Sequence, residues 1–316
     1  MTEIGIFLSS EEHGPDELVR MAQEAEAAGF GSVAVSDHYH PWIDRQGHSP
    51  FVWNVVGGIA ATTKLGITTA VTCPTIRIHP AVIAQAAATS AVMAPGRFRL
   101  GVGTGENLNE HVLGDRWPAA DERMEMLEEA VEVMRDLWKG EITDHEGKHY
   151  KVVNARIYSL PERPPPVLVS GFGPMATSMA ARIGDGYVST SPDPDLVKKY
   201  VDEGGKGPKV ALMKVCWGED EATARKTAYE LWPSTGVPGE LSQELPMPAH
   251  FEQASEKVTE DDVAKKIVCG PDPQRHLEVI GKYVDAGYDE IYVGQVGPET
   301  QGMVDFYRRE ILPKVA

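Results

Sequence analysis

Short runs of hydrophobic residues alternate along the chain with segments in which hydrophobic residues recur every three or four positions. Short apolar runs are typical of buried strands, and the longer period is typical of amphipathic helices. In the first half these patterns predict strands over 4–9, 32–36, 66–71 and 97–102 and helices over 15–28, 51–63, 80–93 and 121–138. In the second half they predict strands over 166–169, 187–190, 209–217 and 290–293 and helices over 175–183, 193–203, 219–231, 274–286 and 300–311.

The eight predicted strands are mostly separated by helices, and this alternation indicates an α/β protein with a parallel sheet. Eight units favour a closed (β/α)₈ TIM barrel over an open doubly wound sheet. A bare barrel needs about 250 residues, so the surplus in this chain of 316 belongs to insertions. We expect one domain over 1–316, with a hairpin insertion near 139–157 and a lid or subdomain loop rich in Pro, Gly and Ser near 232–259.

The composition narrows the classes of partner. The chain has 30 basic and 47 acidic residues, a formal net charge of −17, which argues against nucleic acid and against anionic membrane surfaces. No stretch approaches the roughly 18 apolar residues of a membrane span, and the start lacks the basic and apolar regions of a secretory signal. The three cysteines form no CxxC pair, which argues against a zinc site. We expect a cytoplasmic protein that acts on a small molecule and holds no metal.

Residues that directly follow the strands are the first candidates for chemistry, because a TIM barrel gathers the C-terminal ends of its strands at one mouth. His38 is the best acid–base candidate, since imidazole titrates near neutral pH; the alternative is a loop histidine that caps a helix or meets solvent. Trp42 is either a wall of a pocket for a flat ligand or ordinary packing. Glu106 follows a glycine-rich strand end and is either a functional acid or a charge at a helix start.

Two glycine-containing turns do not by themselves identify a cofactor. The turn 170–174 precedes a helix, whose first backbone N–H groups bind anions well, and the alternative is a sharp turn without a ligand. The glycines at 101, 103 and 105 do not continue as the GxGxxG dinucleotide fingerprint. The sequence also lacks the HExxH, GxSxG and Walker motifs.

Four longer segments occur in order over nearly the whole chain: SVAVSDHYHPW, TAVTCPTIRIHPAVIAQA, RLGVGTGENLNE and ARIGDGYVSTS. Together they resemble the luciferase-like superfamily, and within it the branch of dehydrogenases that depend on the deazaflavin coenzyme F420 and whose best-known members oxidise glucose 6-phosphate. The combination of SDHxxPW and GTGExLNE is far more specific than either glycine-rich turn alone. The resemblance implies a TIM barrel with F420 in its mouth, and hydride transfer between an alcohol and C5 of the deazaflavin.

The resemblance also implies roles for individual residues. His38 would take the hydroxyl proton, Glu106 would act as the acid near N1 of the coenzyme, and Trp42 would lie beside the reacting carbons. The residues that match coenzyme contacts are Asp37, Val71 (in a non-prolyl cis peptide with Ala70), Cys73, Thr104, Gly105 and Asn109, with Phe172, Gly173, Met175 and Ala176 at the phosphate end. A homodimer is also implied.

Departures from the family pattern concern the substrate. Sugar-phosphate members carry a lysine soon after the strand-six Thr-Ser, where this chain has Pro192 and Asp193, and a second lysine is missing near 251–253. We therefore expect Thr190 and Asp193 to contact a neutral alcohol, an unphosphorylated sugar or a positively charged sugar. The alternatives are an FMN-dependent monooxygenase of the same superfamily, an F420-dependent reduction of an imine or methylene carrier, and a non-catalytic flavin-binding protein.

Overall fold

A computed structural model describes residues 2–315 of the chain. Within this range it contains eleven strands: β1 (Glu3–Leu8), β2 (Ser32–Val35), β3 (Gly66–Thr69), β4 (Phe98–Val102), β5 (Thr143–Glu146), β6 (Lys151–Ala155), β7 (Val167–Ser170), β8 (Gly186–Ser189), β9 (Lys209–Cys216), β10 (Val268–Cys269) and β11 (Glu290–Gln295). The main sheet runs in the order β10-β9-β11-β1-β2-β3-β4-β7-β8, and pairing of β8 with β9 closes it. All pairs in this sheet are parallel. The predicted (β/α)₈ TIM barrel is confirmed.

Helices surround the barrel. They are α1 (Pro15–Ala28), α2 (Val52–Thr62), α3 (Pro80–Met93), α4 (Asn107–Glu110), α5 (Ala120–Leu137), α6 (Pro174–Ile183), α7 (Pro194–Asp202), α8 (Glu221–Leu231), α9 (Leu241–Glu244), α10 (Pro248–Ala254), α11 (Glu260–Ala264), α12 (Pro273–Ala286), α13 (Thr300–Phe306) and α14 (Leu312–Val315). Three short 3₁₀ segments and a π-helical turn over Tyr307–Ile311 complete the described helices. No helix among residues 2–315 has both the length and the apolar character needed to cross a bilayer.

Helix α1 illustrates how the sequence sets these elements. Pro15 occupies its first position, where the missing N–H costs no intrahelical bond. The helix ends at Gly29, whose φ of 99° is accessible to glycine at little cost. Leu18 and Met21 lie on its buried face, toward the barrel. The connection through α1 returns the chain so that β1 and β2 run parallel, which places the C-terminal ends of both strands at one mouth.

The barrel interior is filled by side chains. Its cluster consists of Phe7, Ala34, Leu168, Val188, Val210 and Tyr292. Strands β2, β7 and β8 are buried at every position because helices cover their outer face and side chains fill the inner one. This packing supports the floor of the mouth.

The two predicted insertions are folded. Strands β5 and β6 form an antiparallel hairpin, and the Glu129 carboxylate on α5 accepts hydrogen bonds from the backbone N–H groups of His149 and Tyr150. The second insertion, residues 232–259 and here called the insertion segment, contains a 3₁₀ turn, α9 and α10. Its Phe251 is fully buried and packs edge-on against Trp42, with ring centroids 5.2 Å apart.

Several local features differ from the pattern-based prediction, among them the short helices α4 and α11, which it did not include. Strand β3 ends at Thr69 instead of 71, and pairing resumes only as a bridge between Thr72 and Val102. The last long helix becomes π-helical at Tyr307. The wider turn changes the spacing of the hydrophobic residues too little for the sequence pattern to indicate it. Strand β10 was missed because two residues carry no period.

Candidate active site

The mouth of the barrel holds a cavity of about 740 Å³ at the C-terminal ends of the strands. All but two of the predicted site residues line it: Asp37, His38, Trp42, Val71, Cys73, Thr104, Gly105, Glu106, Phe172, Gly173, Met175, Ala176 and Thr190. They come from strands that are distant in sequence, and closure of the barrel brings them together. The other two, Asn109 and Asp193, lie outside the lining.

His38 is held at both ring nitrogens. Its Nε2 lies 3.4 Å from Glu11 Oε1, and its Nδ1 lies 3.2 Å from both the His40 carbonyl oxygen and Asn109 Nδ2. The Trp42 ring is 5.1 Å away at 55°. A protonated imidazole therefore has an acceptor for each N–H, while the neutral ring with its proton on Nε2 accepts from Asn109.

Glu11 is the carboxylate behind His38. Its Oε2 accepts hydrogen bonds from Ser9 Oγ at 3.0 Å and from Ser36 Oγ at 2.6 Å. Burial alone raises the pKa of Glu11, but the charge of His38 and the hydrogen bond from Ser36 outweigh it and leave that pKa below its ordinary value. Glu11 is thus an anion placed beside His38.

Asn109 joins the second and fourth strand ends. Its Oδ1 accepts from the backbone N–H groups of Tyr39 and His40 at 2.9 and 3.2 Å. Its Nδ2 donates to Glu106 Oε2 at 3.3 Å and faces His38. With 1% of its surface exposed, Asn109 positions His38 and Glu106 from behind instead of lining the cavity.

Asp37 belongs to a buried ionic group that the sequence analysis did not anticipate. Its two oxygens accept from Arg77 Nη2 and Thr72 Oγ1, each at 2.8 Å. Glu110 Oε2 accepts from the Arg77 backbone N–H at 2.8 Å. Burial raises the pKa of Glu110 to about 7, although Arg77 opposes the shift. Glu110 Oε1 also lies 3.6 Å from Arg77 Nε, so two carboxyl groups share one guanidinium at the cavity wall.

The glycine-rich strand end is shaped by packing. Gly105 has a φ of +79°, and a Cβ there would lie 2.6 Å from Cys73 Sγ, so only glycine fits at this position. Cys73 Sγ is 2.9 Å from Thr75 Oγ1, and burial raises the pKa of its thiol well above the ordinary range. Cys73 is a neutral wall residue.

The predicted anion end is open. Gly173 caps α6 without a side-chain hydrogen bond, and nothing lies within 4 Å of where its Cβ would be. Phe172 and Met175 beside it are more than half exposed. The first turn of α6 is thus accessible from the cavity, as a site for a phosphate requires.

Of the two predicted substrate contacts, Thr190 and Asp193, only one lines the cavity. Thr190 lines the cavity. Asp193 is the N-cap of α7, and its Oδ1 accepts from the backbone N–H groups of Asp195 and Leu196 at 2.9 and 3.2 Å. Its carboxylate is therefore engaged by the helix end.

Lys214 is a cavity residue that the sequence analysis missed. Residues 210, 212 and 214 of β9 alternate toward the barrel interior, so the period of two within the predicted strand was the signal that placed Lys214 inside. No cluster of His, Cys, Asp and Glu suited to a metal ion is present among the residues that the structure describes.

A family model described as luciferase-like monooxygenase matches residues 1–290. The F420-dependent glucose-6-phosphate dehydrogenase of Microbacterium testaceum (strain StLB037) is 38% identical, over 98% of this chain and 96% of that protein. The protein with the same description from Nocardia farcinica (strain IFM 10152) is 35% identical, over 99% and 98%.

Among solved structures, an F420-dependent secondary alcohol dehydrogenase in complex with an F420-acetone adduct superimposes with a TM-score of 0.92. It is 29% identical, and the match covers 100% of this chain and 99% of that one. The family model and both relatives extend over the barrel strands that carry the cavity. The chain therefore belongs to the luciferase-like monooxygenase family.

Proposed function

We propose that this protein is an F420-dependent oxidoreductase that transfers a hydride between a CH–OH group and C5 of the deazaflavin. The observation that carries the proposal is that His38, Trp42 and Glu106 face one cavity and that Asn109 contacts both His38 and Glu106. The relatives' described dependence on F420 supports the choice of coenzyme.

The residues present fit such a coenzyme. Val71, Thr104 and Gly105 form a wall against which a flat ring system packs, and the peptide bond before Val71 is cis, as the resemblance implies. The open first turn of α6 at Gly173 and Ala176 suits a phosphate group. When bound, F420 supplies a carbon that accepts or releases a hydride.

The protein's part is to move protons and orient the reactants. His38 takes the hydroxyl proton at a ring nitrogen, and Glu11 Oε1 and the His40 carbonyl then accept from the imidazolium. Glu106, which also lines the cavity, would act as the acid toward the bound coenzyme. Each proton transfer contributes about 10²–10⁴-fold, and the fixed separation of the two groups adds an orientation effect.

The charge of the cavity favours an uncharged substrate. The acidic residues in its lining outnumber the basic ones. The basic residues are Arg123 and Lys214, and the acidic residues are Glu11, Asp37, Glu106, Glu110 and Glu240. Arg123 already donates to Gln243 and Glu244. Asp37 and Glu110 are paired with Arg77. A sugar phosphate would still place its anion near Glu11, Glu106 and Glu240, so we propose a neutral alcohol or an unphosphorylated sugar.

Titration of the protein with F420 and, separately, with FMN tests the coenzyme, with ligand fluorescence as the readout. We expect micromolar or tighter binding of F420 and much weaker binding of FMN. Secondary alcohols, glucose and glucose 6-phosphate are then assayed for F420 reduction. His38→Ala should keep coenzyme binding and lose turnover. A preference for FMN would overturn the proposal and favour the monooxygenase, and turnover that survives in His38→Ala would remove the histidine from the mechanism.

A further inference from the structure

Among residues 2–315, the ammonium group of Lys214 has no hydrogen-bond or salt-bridge partner. Across residues 2–315, no acceptor forms a hydrogen bond with its Nζ and no carboxylate lies within 4 Å of it. Lys214 nevertheless lines the cavity. A cation placed inside a barrel without an acceptor leaves its donors available to whatever occupies the cavity.

The position of Lys214 is fixed by a chain of contacts. Its Nζ lies 4.1 Å from the centroid of the Trp232 ring, a cation–π contact. Trp232 Nε1 donates to Glu12 Oε1 at 2.6 Å, and Glu12 Oε2 accepts from the Gly297 backbone N–H at 2.8 Å. Trp232 is 3% exposed. The indole covers one side of the ammonium group, and the cavity remains as the open side.

The surrounding charges determine which ligand suits this donor. Burial lowers the pKa of Lys214, and the charges of Glu11 and Glu12 oppose that shift. An anionic ligand group beside Lys214 would also meet Glu11, whereas an uncharged oxygen accepts a hydrogen bond without that repulsion. Glu11 also contacts His38, and His38, Glu11 and Lys214 line the same cavity, so one substrate can meet both His38 and Lys214.

We propose that Lys214 is a specificity-determining residue that donates a hydrogen bond to a second, uncharged oxygen of the substrate. The inference rests on the proposed function and deepens it: the preferred substrate class is a diol or polyol, not a simple monohydric alcohol. Lys214 takes no part in the hydride or proton transfer.

The test compares cyclohexanol with trans-1,2-cyclohexanediol on the F420-loaded enzyme. The wild type should have a kcat/KM for the diol about tenfold or more above that for cyclohexanol. Lys214→Met should lower kcat/KM for the diol about 10- to 100-fold, the effect of losing a hydrogen bond from a charged donor, mainly through KM. Its kcat/KM for cyclohexanol should stay within about threefold.

Two further variants keep the result interpretable. Lys214→Gln retains an N–H donor and should recover part of the diol preference. Lys226→Met removes an exposed lysine from α8 and should leave both substrates unchanged. An equal loss on both alcohols in Lys214→Met, or a wild type without diol preference, would overturn the inference. A loss confined to glucose 6-phosphate would assign Lys214 to an anion and also overturn it.

Failure of the proposed function is distinguishable from failure of this inference. If the loaded enzyme oxidises no alcohol or sugar, the proposed reaction is wrong. In that case the thermal stabilisation of the F420-loaded protein by the diol still measures the Lys214 contact. Stabilisation that is present in the wild type and absent in Lys214→Met supports the contact, and its absence in the wild type refutes it.

Discussion

Asn109 shows how much one buried side chain can organise. It accepts from two backbone N–H groups on the loop that carries His38, and it donates toward Glu106. The two groups that we assign to proton transfer come from different strand ends, so their separation depends on this amide. Asn109 is therefore a positioning residue.

Replacing Asn109 by Ala should lower kcat about 10- to 100-fold and destabilise the protein by about 1–3 kcal/mol, because two buried N–H groups lose their acceptor. Steady-state kinetics and denaturant unfolding measure the two effects. Asn107→Ala, on the same short helix, removes only a hydrogen bond to the backbone of Glu244 and serves as the matched control. Unchanged kcat in Asn109→Ala would refute the positioning role.

At the scale of residues, the sequence predicted individual functional side chains better than the contacts between them. His38, Trp42 and Glu106 were predicted from motifs, and they line one cavity. Glu11, Arg77 and Lys214 were missed. Each of them acts through a contact with a residue far away in the chain, and such contacts leave no local pattern. Lys214 alone had a usable signal, its inward register in β9.

The insertion segment illustrates the scale of secondary-structure elements. Its helix α9 is held to the start of α5 by Arg123, which donates to Gln243 Oε1 at 3.1 Å and to Glu244 Oε1 at 3.3 Å. The Arg123 guanidinium also lies 4.2 Å from the Trp117 ring centroid. Because Gln243 and Gly239 line the cavity, this contact helps to hold one wall of the mouth in place.

We expect Arg123→Met to accelerate proteolytic cleavage within 232–259 about tenfold, since two hydrogen bonds from a charged donor are lost. Limited proteolysis followed by mass mapping of the first cuts measures the effect. Arg123→Lys, which keeps the charge, should show a smaller change. Arg135→Met, at the exposed far end of α5, is the control. First cuts that fall in the barrel helices would contradict the prediction.

Helix boundaries were predictable where a proline or glycine marks the end of a helix. The spans 15–28 and 80–93 agree with α1 and α3 residue for residue, because a proline begins each helix and, in α1, Gly29 ends it. The insertion segment was expected only as a lid or subdomain loop. Its short helices depend on packing against Trp42 and Arg123, which composition does not reveal.

At the scale of the whole molecule, stability depends on pH through buried carboxyl groups. Burial raises the pKa of Glu110 to about 7 from an ordinary value of 4.5. Between these values the folded protein binds more protons than the unfolded chain, so the stability contribution is complete below about pH 4.5 and is lost as pH rises through 7. Glu12, with its pKa raised to about 7 by burial, acts in the same direction.

Glu110→Gln should flatten this dependence. The variant should resemble the wild type near pH 5 and gain about 1–3 kcal/mol relative to it near pH 8, as measured by urea unfolding across the range. Glu125→Gln on the exposed face of α5 is the control, since that carboxyl group has its pKa lowered by Lys148 and is solvent-exposed. Parallel pH profiles for wild type and Glu110→Gln would show that Glu110 is ionised throughout.

The edge-on contact between Phe251 and Trp42 couples the evolution of two segments of the chain. Trp42 lies in a barrel segment and Phe251 in the insertion segment. More than half the chain separates the two residues, yet their side chains pack against each other. A change in the insertion segment that adapts the entrance to a new substrate therefore also disturbs Trp42, which we propose lies beside the reacting atoms. Grafting an insertion segment from a relative should succeed only when its aromatic partner for Trp42 travels with it, so substrate range and rate evolve as one trait.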